Sequence, residues 1–273
     1  TSTTHCARHW QRLTVTRRRL DAELVRRDLA RSRQQASELI AAGRVRVNRL
    51  VATKAATQVE ESAPITVDTP EREFVSRGAH KLLEPLADFG LVVTGRKALD
   101  AGASTGGFTQ VLLEAGVDHV VAVDVGYGQL AWSLQQDPRV TVMDRTNVRH
   151  LVADDLPYRP DLVVGDLSFI SLTKVLPALT SVAAPEVDLV LLVKPQFEVG
   201  RGQVGKGGVV REPTLHAEAV RRVAGAADDL GFGVAGLRRS PLPGPSGNIE
   251  FVMWLRRGAP ALQESTLEEV VSG

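Results

Sequence analysis

Short apolar runs alternate with amphipathic stretches through the last two thirds of the chain, and this pattern predicts an α/β fold. The apolar runs, which are typical of buried parallel strands, lie near residues 97, 119, 140, 161 and 188. The stretches between them predict helices, and a further helix over residues 79–89 leads the series. Because parallel strands need crossover connections, this order predicts a parallel sheet with helices on both faces.

The end of this region shows a different pattern. A long helix is predicted over residues 213–230, and two strand-like segments follow at residues 233–238 and 249–255. The segment between them, PLPGPSGN, is rich in turn residues. This combination predicts an antiparallel hairpin at the edge of the sheet.

The chain before residue 67 predicts a small α+β domain. Residues 19–30 have the spacing of a first helix, and Ser32 is the predicted N-cap of a second helix over residues 33–42, which Gly43 ends. The following segment, VRVNRLVAT, alternates apolar and polar residues, as a half-buried strand does. The small domain is therefore predicted to have the order helix, helix, strand.

Pro64, Pro70 and the charged segment EREF indicate a domain boundary. The expected organisation is a small domain over residues 19–66, a linker over 67–77 and a large domain over 78–260. Residues 1–18 are expected to be a disordered tail, and residues 261–273 a C-terminal tail with a helix-like pattern.

Composition narrows the class of protein. The chain has 273 residues, of which 43% are hydrophobic and 24% are charged, and this composition is typical of soluble globular proteins. No apolar stretch reaches the roughly 18 residues of a membrane span. The single cysteine, Cys6, excludes an intramolecular disulfide, and no secretory signal is visible, so a cytoplasmic protein is expected. His5 and His9 lie beside Cys6 without further ligands, so no metal site is expected.

Charge is segregated along the chain. Residues 1–60 contain 13 Lys and Arg against 5 Asp and Glu, a net of +8, whereas the remaining residues contain 20 against 27, a net of −7. A basic module on a mildly acidic partner is typical of proteins that contact nucleic acid. The alternative is a small interaction domain with a solvated arginine face.

Three segments at predicted strand ends carry the candidate chemistry: DAGASTGGF from Asp100, GDLSF from Gly165 and LLVKPQFE from Leu191. Because the carboxyl ends of parallel strands share one edge of a sheet, the three segments should converge on one crevice.

The first segment predicts a tight turn between a strand and a helix, in which glycines let the backbone approach a ligand. Ser104 occupies the place of the second glycine of a G-x-G-x-x-G fingerprint, so a pyrophosphate would lose its close approach. Asp124 follows the second strand, where a carboxylate can bind ribose hydroxyls. An adenosine-type ligand without a pyrophosphate fits this pattern.

Two further features have more ordinary interpretations. The segment GRGQVGKGGVV lacks the order of a phosphate-binding P-loop and is expected to form a mobile loop over the active site. Trp132 and Trp254 are expected to be core or packing residues rather than platforms for base stacking.

The segments DAGASTGGF, GDLSF, LVKPQFE and SPLPGPSGNIEF resemble the TlyA group of FtsJ-like ribose 2′-O-methyltransferases, which act on ribosomal RNA. The likeness extends over about residues 19–257. It implies an S4-type RNA-binding domain followed by a Rossmann-like methyltransferase domain that uses S-adenosylmethionine.

The resemblance also implies site residues. The catalytic set would be Lys81, Asp166, Lys194 and Glu250. Cofactor contacts would come from Asp100, Gly102, Ala103, Ser104, Thr105, Gly106, Gly107, Asp124 and, near the adenine amino group, Asp144. RNA contacts would come from Arg19, Arg31, Arg33, Gln34, Arg44, Arg46 and Arg49, because a planar guanidinium binds phosphate and stacks on bases.

Methyl transfer to a 2′-hydroxyl requires that the hydroxyl lose its proton. We expect Lys194 to act on that proton, with Asp166 and Glu250 orienting its amine and Lys81 supplying positive charge near the oxygen. The resemblance implies cytidine as the target and ribosomal RNA within ribosomal subunits as the partner. Both subunits are favoured because the chain has an extended N-terminal region and a helix-like C-terminal segment. A monomer is expected.

Three alternatives belong to other classes. A base amino-methyltransferase would have two prolines and an aromatic residue after Asp166, where the chain reads Leu-Ser-Phe. A cytolysin is suggested by the hemolysin label of some family members, but no pore hairpin or secretion signal supports it. The third alternative is an RNA-binding module without catalysis.

Overall fold

A computed structural model of the chain describes residues 17–30, 32–68, 74–244 and 246–273. The chain divides into two compact units, residues 1–73 and residues 74–273. Most of the predicted N-terminal tail, with His5, Cys6 and His9, lies outside the described residues, and so does the RNA-contact candidate Arg31.

In residues 17–30 and 32–68, the small unit contains two helices and five short strands. The helices are α1 (Leu20–Arg26) and α2 (Arg33–Ala41). The strands are β1 (Arg17–Arg19), β2 (Val45–Val47), β3 (Leu50–Val51), β4 (Gln58–Glu60) and β5 (Ile65–Val67). β1 pairs antiparallel with β4, and β2 lies between β3 and β5 in an antiparallel sheet. Leu20, Leu24, Ala36, Ile40 and Val45 form the centre of its apolar core.

The local signals of α2 are confirmed, but α1 is shorter than predicted. The Ser32 hydroxyl accepts a hydrogen bond from the Gln35 amide at 3.2 Å, as an N-cap does. The first helix ends at Arg26 rather than at residue 30, because Asp28 adopts a left-handed conformation with φ 57°. Short polar side chains such as that of aspartate tolerate this conformation.

The single strand predicted for VRVNRLVAT is wrong, because the segment forms a hairpin of β2 and β3. Asn48 and Arg49 join the two strands with φ values of 51° and 69°. Two successive positive φ angles give the tight turn whose twist suits antiparallel strands, and asparagine adopts it readily. Both arms of a hairpin keep the same alternation of apolar and polar residues, so the pattern did not show the turn.

The large unit is a seven-stranded sheet flanked by helices. Its strands are β6 (Lys97–Ala101), β7 (His119–Val123), β8 (Val140–Met143), β9 (Leu162–Gly165), β10 (Asp188–Val193), β11 (Phe232–Arg239) and β12 (Phe251–Arg257). Its helices are α3 (His80–Asp88), α4 (Gly107–Glu114), α5 (Trp132–Gln135), α6 (Leu176–Val182), α7 (Pro195–Glu198), α8 (Pro213–Asp228) and α9 (Glu264–Ser272). The predicted α/β class, the parallel strands and the final hairpin are confirmed.

The strand order is β11-β12-β10-β9-β6-β7-β8, with β12 antiparallel to both of its neighbours. The chain runs outward from β6 through β7 to β8 and then returns to the other side of β6 as β9. Ligands in open α/β sheets bind at such a reversal, beyond the carboxyl ends of the strands. The reversal therefore lies between the ends of β6 and β9, where Ala101 pairs with Gly165.

Alternate residues of the strands supply two apolar layers, one on each face of the sheet. Leu99, Val163 and Leu191 belong to one layer, whereas Ala98 and Val190 belong to the other. The segment predicted as a C-terminal tail forms α9, which packs against α8 and β11 and buries Leu267 completely. The packing of both apolar layers fixes the strands, and the polar residues of the candidate site follow the carboxyl ends of these strands.

Candidate active site

Two adjoining depressions lie at the carboxyl ends of the central strands. The first, the large cavity, has a volume of about 520 Å³ and includes Gly102, Asp124, Asn147 and Leu167 in its wall. The second, the groove, has a volume of about 260 Å³ and includes Lys81 in its wall. Four residues line both depressions: Gly102, Ser104, Asp166 and Ser168. These four residues form the junction between the two spaces.

The turn between β6 and α4 brings backbone to this junction. Gly102 has φ 87°, and a Cβ atom there would lie 3.0 Å from the Asp166 carbonyl oxygen and 3.1 Å from Leu167 Cδ2. A side chain at this position would therefore meet both strain and the opposite wall. Of the predicted cofactor-contact residues, Gly102 and Ser104 line both spaces, whereas Ala103, Thr105 and Gly107 line the groove alone.

Asp124 lies in the wall of the large cavity, as its position after β7 suggested. Its Oδ2 accepts a hydrogen bond from the Ser104 amide at 2.8 Å, and its Oδ1 accepts one from the Gly126 amide at 2.7 Å. Two backbone donors thus hold the carboxylate at the end of β7 in one orientation. A carboxylate retains further lone pairs for hydroxyl donors.

Asp100 is fully buried beneath the turn and lines neither depression. The Thr109 hydroxyl donates to its Oδ2 at 2.7 Å, and its Oδ1 has no hydrogen-bond partner among the described residues. Burial raises the pKa of Asp100 to about 7, and the nearby charges of Asp166 and Asp124 add to the effect.

Asp144 and Gly106 also lie outside the lining of both depressions. Asp144 Oδ2 accepts a hydrogen bond from the Gly128 amide at 2.8 Å. A Cβ atom at Gly106 would collide with Leu134 and Leu130. The wall beyond β8 is formed by Thr146, Asn147 and Val148, none of which was predicted as a cofactor contact.

The four predicted catalytic residues meet as two ion pairs. Lys194 Nζ lies 2.6 Å from Asp166 Oδ1, and Lys81 Nζ lies 2.5 Å from Glu250 Oε2. Both lysine side chains are 8% exposed, and the Glu250 side chain is fully buried. Cations held in a sheltered groove act more strongly on a nearby oxygen than cations in water do.

The expected role of Glu250 in orienting Lys194 is corrected by this pairing, because Glu250 pairs with Lys81. Lys194 follows β10, and Asp166 follows the neighbouring parallel strand β9, so their side chains meet at the sheet edge. Lys81 enters from the first turn of α3 and reaches Glu250, which precedes β12. The order of strands in the sheet therefore decides which lysine meets which carboxylate, and the sequence motifs do not show that order.

Two polar neighbours of the four predicted catalytic residues were not predicted from the sequence. Lys194 Nζ donates to the Ser168 hydroxyl at 2.9 Å, and Gln196 Nε2 lies 3.4 Å from Glu250 Oε1. Ser168 belongs to the segment GDLSF and Gln196 to the segment LLVKPQFE. Serine and glutamine are common near strand ends, so their residue types gave no signal.

The RNA-contact candidates are partly engaged within the small unit. Arg19 and Arg33 both bind Asp21, whose pKa is lowered chiefly by the hydrogen bonds from Arg19. Other contacts join Arg46 to the Asp68 carboxylate, Arg44 to the Asp68 carbonyl and Gln34 to Glu38. Among the described residues, Arg49 is exposed and has no such partner. Over its described residues, the small unit thus holds some of these arginines in ion pairs or hydrogen bonds and leaves Arg49 free of them.

The prediction that the glycine-rich segment is a mobile loop over the active site stays a prediction, whereas the expectations for the two tryptophans differ in outcome. Residues 201–203 and 206–208 form short 3-10 turns, and the buried Asn248 side chain binds the Gly208 carbonyl and the Val210 amide, each at 2.9 Å. Trp254 is buried as expected. The expectation for Trp132 is wrong, because this residue begins the four-residue helix α5 and is 73% exposed.

Two structural findings concern other classes of protein. Within the described ranges, no helix has the length and apolar character that a membrane crossing requires. No group of three or more His, Cys, Asp or Glu side chains in the same ranges is arranged to hold a metal ion.

Comparison with known proteins gives two family matches. Residues 74–257 match the FtsJ-like methyltransferase family, and residues 18–65 match the S4 domain. The chain is 60% identical over 257 residues to the 16S/23S rRNA (cytidine-2′-O)-methyltransferase TlyA of Mycobacterium tuberculosis, covering 93% of this chain and 96% of the relative.

Two other relatives have hemolysin names. Hemolysin A of Brachyspira hyodysenteriae is 36% identical, with 86% of this chain and 98% of the relative covered. A solved structure from Streptococcus thermophilus, provisionally named a hemolysin, is 38% identical to this chain and has a TM-score of 0.73. The match covers 95% of this chain and 96% of the chain in that structure. With the site geometry, these matches confirm the resemblance seen in the motifs: the chain belongs to the FtsJ-like methyltransferases, with an S4 domain ahead of the methyltransferase domain.

Proposed function

We propose that the protein transfers a methyl group from S-adenosylmethionine to the 2′-hydroxyl of cytidine in ribosomal RNA. The observation that carries the proposal is that Lys81, Asp166 and Lys194 line the groove beside the large cavity, with the buried Glu250 paired to Lys81 behind it. The 60% identical relative is named for this activity on 16S and 23S rRNA. We extend both targets to this chain, acting as a monomer on ribosomal subunits in the cytoplasm.

The residues of the large cavity fit an adenosine-type cofactor. Its wall combines the carboxylate of Asp124 with the closely approaching backbone at Gly102. Beneath the turn, Asp100 Oδ1 is a buried acceptor without a partner among the described residues. Asp124 would hold the ribose, the 102–107 turn would hold the methionine portion, and Asn147 would face the base. When bound, S-adenosylmethionine supplies an electrophilic methyl group on a sulfonium centre.

The groove supplies the groups that act on the acceptor hydroxyl. Asp166 holds the Lys194 amine at 2.6 Å. After this amine has lost one proton to solvent, its neutral form can take the proton of the 2′-hydroxyl as the oxygen bonds to carbon. Glu250 holds Lys81, whose positive charge stabilises the developing negative charge on the same oxygen. Placement of the hydroxyl in line with the methyl group contributes much of the acceleration.

The test is tritium transfer from labelled S-adenosylmethionine to purified small and large ribosomal subunits. We expect Lys194→Ala to keep cofactor and RNA affinity near that of the unmodified protein and to lower turnover by about a hundredfold or more. Asp166→Ala should be similarly damaging, and Lys81→Ala and Glu250→Ala should each impair turnover, because each leaves the charge of its partner unpaired in or beside the groove.

A matched control is Lys97→Ala, since Lys97 is an exposed lysine at the opposite end of β6. Its turnover should equal that of the unmodified protein. Full activity in Lys194→Ala would remove the proposed role of Lys194. Absence of transfer to either subunit by the unmodified protein would refute the function itself and favour a non-catalytic RNA-binding module.

A further inference from the structure

We infer that Ser168 is a substrate-orienting residue whose hydroxyl donates a hydrogen bond to the oxygen that receives the methyl group. The inference rests on the proposed function and adds a residue to it. Ser168 lies outside the Lys-Asp-Lys-Glu set, and its residue type gave no signal in the sequence.

Position is the first argument. A methyl group that passes from the large cavity to the groove must cross the junction formed by Gly102, Ser104, Asp166 and Ser168. Gly102 has no side chain, and Asp166 is paired with Lys194. The two serines remain as hydroxyl donors, and of these Ser168 is the one in contact with Lys194.

The hydrogen-bond arrangement is the second argument. The Lys194 amine donates to Ser168 Oγ at 2.9 Å, so the serine oxygen acts as an acceptor in this contact. A hydroxyl carries one hydrogen of its own, and the described residues offer that hydrogen no acceptor. The Ser168 hydroxyl therefore has one donor available at the junction.

Lys194 also makes this donor stronger. Lys194 becomes cationic as it takes the proton of the 2′-hydroxyl, and a serine hydroxyl that accepts a hydrogen bond from a cationic amine is polarised and becomes a better donor to the next oxygen. As the acceptor hydroxyl loses its proton, its oxygen gains negative charge, and a donor aimed at that oxygen strengthens through the reaction. Ser168 thus transmits the field of Lys194 to the reacting oxygen.

The loop that carries Ser168 is fixed at both sides. On one side, Asp166 follows β9 directly; on the other, the buried Glu198 carboxylate accepts hydrogen bonds from the Ser171 hydroxyl at 2.5 Å and the Leu172 amide at 2.7 Å. Between them, Phe169 has φ 65°, an uncommon conformation for a bulky residue. The hydrogen bond from the Lys194 amine at 2.9 Å orients the Ser168 hydroxyl within this loop.

The experiment compares Ser168→Ala and Ser168→Thr with the unmodified protein in the tritium-transfer assay on ribosomal subunits. We expect Ser168→Ala to lower kcat by about tenfold to a hundredfold, with KM for the subunits and Kd for S-adenosylmethionine unchanged, because the donor acts mainly in the transition state. Ser168→Thr keeps the hydroxyl and should retain most of the activity. Ser181→Ala removes an exposed serine on α6, away from the junction, and serves as the control.

Three outcomes would overturn the inference while leaving the proposed function intact. The first is a kcat of Ser168→Ala within twofold of the unmodified protein, together with a strong loss in Lys194→Ala. The second is a rise in KM without a fall in kcat, which would make Ser168 a binding residue only. The third is a Ser168→Thr variant that is as impaired as Ser168→Ala. An inactive unmodified protein would refute the proposed function and the inference with it.

Discussion

At the scale of single residues, the buried carboxyl of Asp100 links stability to pH. Its pKa is raised from 3.8 to about 7 by burial. Between these two values the folded state binds more protons at this group than the unfolded state, so its contribution to stability falls as the pH rises from about 4 through 7. From the size of the shift, the cost at pH 8 amounts to about 4 kcal/mol.

Asp100→Asn removes this titration and keeps an acceptor for the Thr109 hydroxyl. We therefore expect the unfolding free energy of Asp100→Asn, relative to the unmodified protein, to increase between pH 5 and pH 8. Chemical denaturation without cofactor at several pH values measures it, and the exposed Asp118→Asn variant is the control. Parallel stability curves for Asp100→Asn and the unmodified protein would contradict the prediction.

Gly102 offers a test of the turn that is expected to hold the cofactor. An alanine at Gly102 combines a positive φ with a Cβ 3.0 Å from the Asp166 carbonyl oxygen. Gly95 also has a positive φ, 76°, but a Cβ there would meet nothing within 4 Å. Both Gly102→Ala and Gly95→Ala should lose about 1 to 2 kcal/mol of stability to backbone strain.

Only Gly102→Ala should also lose affinity for S-adenosylmethionine, by about tenfold or more, because only there does the side chain narrow the cavity. Calorimetric titration of both variants separates the effects. Equal affinities in the two variants would show that the turn does not contact the cofactor.

At the scale of elements, apolar runs predicted the strands of the large unit well, but they did not predict the β2–β3 turn or the pairing of charged side chains in the site. β6, β7 and β10 were found where buried strands were expected, because short apolar runs are typical of parallel strands that are buried on both faces. The β2–β3 hairpin was missed because Asn48 and Arg49 lack the usual glycine signal. The candidate catalytic residues were found through motifs, but a motif carries no information on which lysine meets which carboxylate.

The buried Asn248 side chain makes two of the hydrogen bonds that hold the segment from residue 200 to residue 210. Asn248 donates to the Gly208 carbonyl and accepts from the Val210 amide, and it lies two positions before Glu250. Asn248→Ala would leave two backbone groups without partners, at a cost of about 1 to 3 kcal/mol. The segment should open more often as a result.

We expect faster amide hydrogen exchange at Gly208 and Val210 in Asn248→Ala, with exchange in β6 and β7 unchanged. Turnover should fall moderately through Glu250, whereas Gln263→Ala, an exposed amide near α9, should alter neither quantity. Unchanged exchange at residues 208–210 would show that the segment is held by other contacts.

At the scale of the whole molecule, the net charge of +1 conceals a division between +8 in residues 1–60 and −7 in the rest. Part of that positive charge is neutralised within the small unit, since Arg26 and Arg27 bind Glu23 and two further arginines bind Asp21. The arginines without such partners are therefore the ones most available to phosphate. Sequence counts the charges, but only the structure shows which are already paired.

Arg18 and Arg49 are exposed and lack ion-pair partners among the described residues. If each contacts one RNA phosphate, the double variant Arg18→Gln, Arg49→Gln should bind ribosomal subunits more weakly and depend less on salt. The slope of log affinity against log salt should become shallower by about 1.4 to 1.8, since each phosphate contact contributes about 0.7 to 0.9. Affinity for S-adenosylmethionine and thermal stability should stay unchanged. Binding measured from low to moderate salt on full-length protein tests this expectation, with Arg159→Gln, an exposed arginine of the large unit, as the control. An unchanged salt slope in the double variant would remove both arginines from the RNA-contacting surface.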